Sequence, residues 1–410
     1  MRIDLLRPVV KAVLVLSTFS VASLTWANDN FQQCVEDLQD KARAHGISNT
    51  TVDQVLAGVN YLDRVIELDR RQPEFTTPFS EYLGLRVTEQ RVQKGRELYR
   101  QHQDLLQRVT RETGVPGHYL VAFWGLETNY GSYFGKMSTL DSLATLACDP
   151  RRSEYFTGEL MAALQIIDSG DIEAERMQGS WAGALGHVQF MPSVFLRYAR
   201  DADQDGARDL WGSIPDAMLS AGTFLKGIGW ESGLRWGREV LLPKTFSYQM
   251  AGLGQTKSLA EWREFGLTDA FGRALPDVDV KASLLVPAGH EGPAFLVYDN
   301  FDVIMRWNRS EFYALAVGHL ADRIAGAGAL QNPPPSDSPR LSRQIVLELQ
   351  EKLIANGVDP GALDGILGPA TRKALREYQH QKGLVADGFP DSTTFAKLGV
   401  AFPQQEQQKQ

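Results

Sequence analysis

The sequence is poor in the residues that several common chemistries need. Of its 410 residues only two are cysteines, Cys34 and Cys148, and only seven are histidines. That leaves no Cys-x-x-Cys pair and no His-Glu-x-x-His stretch to hold zinc. His187 sits in a glycine-rich block without an evident triad partner, so a metalloprotease or amidase gains no support. Cationic excess is also missing: 42 Lys and Arg stand against 50 Asp and Glu, a net charge of −8. Recognition of nucleic acid needs clustered cations that displace counterions from phosphates, so that class is excluded as a partner. The longest apolar run, residues 12–24, is short of the roughly 20 residues that comfortably span a bilayer.

What is present is ample core material, 43% hydrophobic residues with 10% aromatics, in a chain longer than one ordinary domain. Arg2, Arg7 and Lys11 precede the apolar run, and the small residues Thr25 and Ala27 flank Trp26. This reads as a secretory signal over residues 1–27, with an uncleaved anchor helix as the competing reading. No lipid-attachment pattern precedes Cys34, so the expectation is a periplasmic protein that is not a lipoprotein. Both cysteines would survive cleavage, and an oxidising compartment permits one Cys34–Cys148 bridge. Spacing alone leaves two inert buried thiols equally open.

Apolar residues at helical spacing, such as Val52, Val55, Leu56 and Val59, predict amphipathic helices. A long helix is expected from Thr88 to Thr113, stopped by Gly114-Val115-Pro116. Helix dominates as far as Trp230. Between Glu239 and Ile304, Leu284-Leu285-Val286 and Ala294-Phe295-Leu296-Val297-Tyr298, broken by Gly and Pro, read as short strands. Helix returns from Ser310 to Ala325. The proline-rich stretch 331–339 reads as a semi-rigid linker. Beyond it, residues 340–400 form a small unit with helices Ser342–Asn356, Ala370–Lys382 and Ser392–Leu398, then a polar tail over 401–410. The expected architecture is mainly α: a large unit over 28–330 with a small β element, plus a three-helix C-terminal domain, as a monomer.

Three constellations carry chemistry. In the segment from Leu120 to Gly131, read as a helix ended by Gly131, Glu127 shares an apolar stripe with Leu120, Phe123 and Trp124. Desolvation there would raise its pKa and suit it to donate a proton near neutral pH. The bland reading is a helix-edge carboxylate bonded to a neighbour. The block from Gly179 to Pro192 has glycines that permit close backbone approach, with Ser180 and Gln189 able to bond sugar hydroxyl or acetamido groups. A tight helix connection is the alternative. The loop from Asp201 to Gly212 places Asp201, Asp203, Asp205, Ala207 and Asp209 at EF-hand positions one, three, five, seven and nine. Gly212 stands where the bidentate acid belongs, so Asp216, water or backbone must fill that gap for a structural Ca2+ to bind. The alternative is an Asp-rich turn capping its own backbone.

Together these blocks resemble the lytic transglycosylase B family, a branch of the lysozyme-like superfamily. The matches are Glu127-Thr128-Asn129-Tyr130-Gly131, Ala144 to Ala147, Pro150 to Phe156, Gly179 to Pro192, Asn300-Phe301 and Arg306-Trp307-Asn308, within residues 31–325. The resemblance implies a lysozyme-like fold of several subdomains, a substrate of peptidoglycan glycan strands, and no cofactor required for the chemistry. Glu127 would protonate the bond between N-acetylmuramic acid and N-acetylglucosamine, then act as base while the muramoyl 6-hydroxyl closes a 1,6-anhydro ring. Ser180 and Gln189 would orient the reacting sugar, and Phe190, Tyr298 and Tyr313 would wall the site. Arg151, Arg152 and Glu154 would meet the acidic lactyl or peptide portion, with a surface ion-pair cluster as the competing explanation. Residues 342–398, with Asp364-Gly365 and Asp387-Gly388 turns beside a groove and Leu347, Leu353, Leu375 and Leu398 inside, resemble the peptidoglycan-binding module attached to wall-cutting enzymes. Other cell-wall enzymes are candidate partners. The rival functions are a lysozyme-type hydrolase that uses water and a catalytically silent wall scaffold.

Overall fold

The computed structural model describes residues 22–70 and 77–403, with side chains from residue 30. The signal expected over 1–27 therefore lies almost wholly outside the described residues, as does most of the polar tail. No helix among the described residues is long and apolar enough to cross a membrane.

The molecule is mainly helical, and one helix organises it. Gly117–Thr128 is buried on nearly every side, from Tyr119 through Leu126. The sequence reading gave it an apolar stripe, but a helix that is apolar all round belongs in a core. Around it pack Glu89–Gln101, Gln103–Thr113 and Glu311–Ile324. The first two replace the single helix expected from Thr88 to Thr113. The chain breaks at His102 (φ −104°, ψ 25°), so Val92, Gly95 and Leu98 face one set of neighbours while Leu106, Val109 and Thr113 face another. A straight helix would offer one continuous apolar face and could not serve both.

A second layer is formed by Ala22–Ala44, Thr139–Cys148 and Ser153–Asp168. Cys34 and Cys148 are bonded to each other there, their Cα atoms 6.0 Å apart. The expected β element is a five-stranded antiparallel sheet, in spatial order Lys257–Ser258, Lys281–Leu285, Ala294–Val297, Gly237–Leu241 and Thr268–Asp269. Side chains alternate between its faces. Phe295 and Val297 enter the helical core, while Ala294 and Leu296 enter a satellite core around Trp262. The strand Ala294–Val297 then leads through Tyr298 into the helix Asp299–Trp307. Buried Asn300 fixes that junction by bonding the backbone of Glu231 and Leu234.

The C-terminal unit has helices Arg343–Ala355, Pro369–Gln381 and Ser392–Leu398 around Val346, Leu349, Leu353, Leu375, Tyr378 and Phe395. Leu347, expected inside, is only half-buried. Two buried glutamines organise the Asp-Gly turns in parallel ways. Gln350 Oε1 accepts from Gly365 N at 3.0 Å and Gln379 Oε1 from Gly388 N at 2.8 Å. The Asp387 turn faces the sheet subdomain: Asp387 is 4% exposed and its Oδ2 accepts from His290.

Candidate active site

Glu127 lies in the last turn of the buried helix, which ends at Thr128 rather than running on to Gly131. Asn129, Tyr130 and Gly131 are successively left-handed, with φ of 48°, 61° and 78°. That conformation is costly for non-glycine residues, and local bonds hold it. Gly131 N donates to Thr128 Oγ1 at 3.0 Å, and the Tyr130 hydroxyl donates to Arg91 O at 2.7 Å. A Cβ at Gly131 would collide with the His187 ring, so glycine is needed there for space as well as conformation.

His187 joins the two motifs. Its Nδ1 accepts from Trp124 Nε1 at 2.9 Å, and its carbonyl accepts from the Thr128 hydroxyl at 3.0 Å. Burial pushes the imidazole down to about 4, so it is neutral at pH 7 and acts as a fixed acceptor. The glycine block is thereby pinned beside the end of the Glu127 helix.

The carboxyl of Glu127 meets residues from far along the chain. Trp307 Nε1 donates to Oε1 at 2.9 Å, and the Tyr313 hydroxyl donates to the same oxygen. Trp307 ends one helix and Tyr313 lies in the first turn of the next. The Trp307 ring stacks on Phe123 at 4.3 Å and leans on Phe190 and Phe224 at 5.5 and 5.2 Å. Burial among these rings raises the Glu127 carboxyl to about 7, against the opposing pull of the two hydrogen bonds and of Arg86. Oε2 has no hydrogen bond among the described residues. The group can thus hold a proton near neutral pH on an oxygen not engaged by the protein.

The remaining candidates divide. Tyr313 touches Glu127, and Phe190 is 2% exposed, so it supports Trp307 from behind instead of offering a face to a ligand. Ser180 and Gln189 shape the glycine loop. Ser180 Oγ accepts from Ala184 N at 3.0 Å, and Gln189 Nε2 donates to Phe134 O and Gly186 O, both at 3.1 Å. Tyr298 is 3% exposed in the satellite core, where Arg238 Nε donates to its hydroxyl at 2.6 Å. It is no wall of the Glu127 site. Arg151 and Arg152 converge on Asp69, which is 2% exposed: Arg151 Nε donates to Asp69 Oδ2 at 2.8 Å, and Arg152 pairs with Oδ1. The ion-pair reading therefore replaces the ligand reading for both, because a buried carboxylate needs compensating charge. Glu154 is exposed in the first turn of the neighbouring helix. Sequence reasoning missed Trp307 and His187 as site-builders; their only signal was membership of the motif blocks.

In the Asp-rich loop, Asp201, Asp203 and Asp205 bring carboxylate oxygens within 4.8 Å of one another. These are hard donors of the kind Ca2+ takes. Asp209 and Ala207 are not part of this cluster. Asp209 Oδ1 accepts from Trp211 N and Gly212 N, both at 2.8 Å, and a Cβ at Gly212 would lie 2.5 Å from Asp209 Oδ2. Asp216 does not supply the missing twelfth ligand. It is fully buried and closes the loop by accepting from Ala202 N and Asp209 N at 2.7 and 2.8 Å. The donor set thus fits a cation on one side only.

Comparison with known proteins agrees with this geometry. The profile of the transglycosylase SLT domain family matches residues 30–322, and that of a peptidoglycan binding domain matches residues 342–398. Membrane-bound lytic murein transglycosylase B of Escherichia coli (strain K12) is 32% identical over 313 residues, 73% of this chain and 83% of that protein. The solved structure of SltB3 from Pseudomonas aeruginosa, in complex with NAG-anhNAM-pentapeptide, is 45% identical with a TM-score of 0.87. It covers 90% of this chain and 99% of its own. Escherichia coli Slt35 in complex with calcium is 32% identical with a TM-score of 0.61, covering 72% of this chain and 92% of its own. The chain is therefore a member of the transglycosylase SLT family, a lytic murein transglycosylase of the B type that acts on peptidoglycan and carries a peptidoglycan-binding domain.

Proposed function

We propose that Glu127 is the single acid and base of a non-hydrolytic cut between N-acetylmuramic acid and N-acetylglucosamine. Its proton passes to the glycosidic oxygen as the bond to the anomeric carbon breaks, and the substrate's acetamido carbonyl stabilises the positive charge left there. The Glu127 carboxylate then takes the proton of the muramoyl 6-hydroxyl as that oxygen bonds to the anomeric carbon. The products are an N-acetylglucosamine end and a 1,6-anhydro-muramoyl end, and no water is consumed. Because the nucleophile is tethered to the substrate, its effective concentration is high and no second enzymic carboxylate is needed.

The observation that carries this reading is the Glu127 carboxyl raised to about 7 by burial, with both protein donors on one oxygen. The anhydro sugar bound to SltB3 of Pseudomonas aeruginosa supports the same outcome. Ser180 and Gln189, on the glycine loop, are the candidates for orienting the sugar. Digestion of purified sacculi followed by mass spectrometry tests it. Wild type should release muropeptides one water lighter than hydrolytic products, and Glu127→Gln should release none. Hydrolytic ends would establish a lysozyme-type muramidase instead, and binding without any release a silent scaffold.

Two further readings belong to this proposal. The chain works in the periplasm after removal of residues 1–27, supported by the Arg2, Arg7 and Lys11 region before an apolar run. A structural Ca2+ is held by Asp201, Asp203 and Asp205, supported by their convergent oxygens and by the calcium bound to Slt35 of Escherichia coli.

A further inference from the structure

The C-terminal module is docked against the catalytic unit. His290 donates its backbone N–H to Asp387 Oδ2 at 2.9 Å and its ring Nδ1 lies 2.7 Å from the same oxygen. Arg340 Nε donates to Glu81 Oε2 at 2.8 Å, and the linker is pinned where Gln331 N and Asn332 N donate to Glu239 at 2.9 and 2.7 Å. Two cavities of about 410 and 450 Å³ remain along this seam, and both are lined by Glu311, Ala370 and Arg372. The larger is lined as well by Lys373 and Arg376.

The two arginines here are not committed to a carboxylate within ion-pair distance among the described residues. Elsewhere on the chain Arg151, Arg152, Arg208 and Arg340 are all committed to carboxylates. Neither Arg372 nor Arg376 makes a side-chain hydrogen bond or an ion pair among the described residues. Arg372 lies over the Phe312 ring at 5.7 Å. Arg376 is held between backbones, its guanidinium 2.6 Å from where a Cβ of Gly252 would stand and 2.8 Å from that of Gly388. Of the two acids lining the larger cavity, Asp387 is already engaged by His290, Gln379 and Phe389 N. Glu311 faces both arginines, and burial raises its carboxyl. Two half-buried guanidiniums facing one acid across a cavity form a preorganised carboxylate receptor, since a planar fork matches a carboxylate with two parallel hydrogen bonds.

We propose that this seam cavity binds the carboxylates of the peptide stem borne by the glycan strand, with Arg372 and Arg376 as the recognising groups. The inference rests on the reading of peptidoglycan as substrate. Its location is informative: one wall is the first turn of the helix Glu311–Ile324, whose Tyr313 bonds Glu127. A stem held there would fix the strand relative to the catalytic carboxyl through a rigid element.

The test titrates the full chain with a synthetic pentapeptide stem bearing free carboxylates, and with the same peptide fully amidated, by calorimetry. Wild type and Glu127→Gln should both prefer the acidic peptide by about tenfold or more. The Arg372→Gln/Arg376→Gln double variant should lose that preference, and so should Ala370→Trp, which fills the cavity mouth while keeping both arginines. No preference in wild type, or an undiminished preference in either variant with a native melting transition, overturns the proposal. If the double variant fails to fold, Ala370→Trp decides. Peptide binding by an enzyme that releases no anhydro ends would sink the catalytic reading and leave this one standing; anhydro release without peptide preference would do the reverse.

Discussion

The Tyr313 hydroxyl donates to Glu127 Oε1 across 186 positions of sequence, on the oxygen that also receives the Trp307 indole. Both bonds favour the carboxylate, so they oppose the burial that raises Glu127. Removing one should push the group further toward the protonated form. Tyr313→Phe is expected to shift the alkaline limb of the pH–rate profile upward and to slow turnover by about ten- to a hundredfold, because Glu127 then gives its proton to the glycosidic oxygen less readily. An unchanged profile would show that the tyrosine does not set the proton affinity of Glu127.

In the wild-type enzyme the acid form of Glu127 predominates below about 7. Initiation should hold at lower pH and fall about tenfold for each pH unit above that value. Measured kcat/KM on a soluble glycan across pH 5–9 checks this, provided the product remains the anhydro form.

The same shift has a stability consequence. A carboxyl whose proton affinity is raised on folding binds more protons in the native than in the unfolded state between its ordinary 4.5 and about 7. Stability must therefore fall as pH rises through that window and level off above it. Glu127→Gln removes this dependence, and at pH 8 it should be more stable than wild type by at most about 3 kcal/mol, less to the extent that solvent reaches the half-buried residue. Urea unfolding at pH 5 and pH 8 would reveal it; a larger gain at pH 5 would contradict the sign.

The disulfide closes a loop of 114 residues. Constraining so long a segment in the unfolded chain is worth about 4–5 kcal/mol on the loop-entropy account. Cys148→Ala should lower the melting temperature markedly, while glycan cleavage at low temperature persists. Equal melting temperatures for variant and wild type would argue against the pairing.

Arg151 and Arg152 share Asp69. Replacing Arg152 by Met should cost about 1–2 kcal/mol, toward the low end of buried-pair losses because the arginines are partly exposed. KM for stem-bearing glycan should not move. A raised KM without lost stability would restore the ligand role that their sequence context suggests.

Chelator should lower the melting temperature by a few degrees if the Asp201, Asp203 and Asp205 oxygens hold Ca2+, and Asp203→Asn should remove that response. An identical transition with and without chelator would leave the loop as a self-capped turn.

Much of this was legible in the chain because it depends on local chemistry. The helical spacing, the strands at Leu284–Leu285 and Ala294–Val297, the proline-rich linker and the compact C-terminal unit follow from periodicity and backbone restriction. Glu127 stood out because a carboxyl amid apolar residues is expensive unless it holds a proton or a partner. The break at His102 was not legible, since only the neighbours decide which faces of a helical segment must be buried. Likewise Arg151 and Arg152 looked equally fit for a ligand or for an ion pair until the fold brought Asp69 between them. The sequence by itself determined the residue types, the elements and the presence of an ionisable group suited to proton transfer. Only the tertiary structure decided which oxygen of Glu127 is engaged, that His187 is a neutral acceptor joining two motifs, and that Arg372 and Arg376 make no ion pair among the described residues. Those properties depend on desolvation and on distances between residues remote in sequence, which no local pattern encodes.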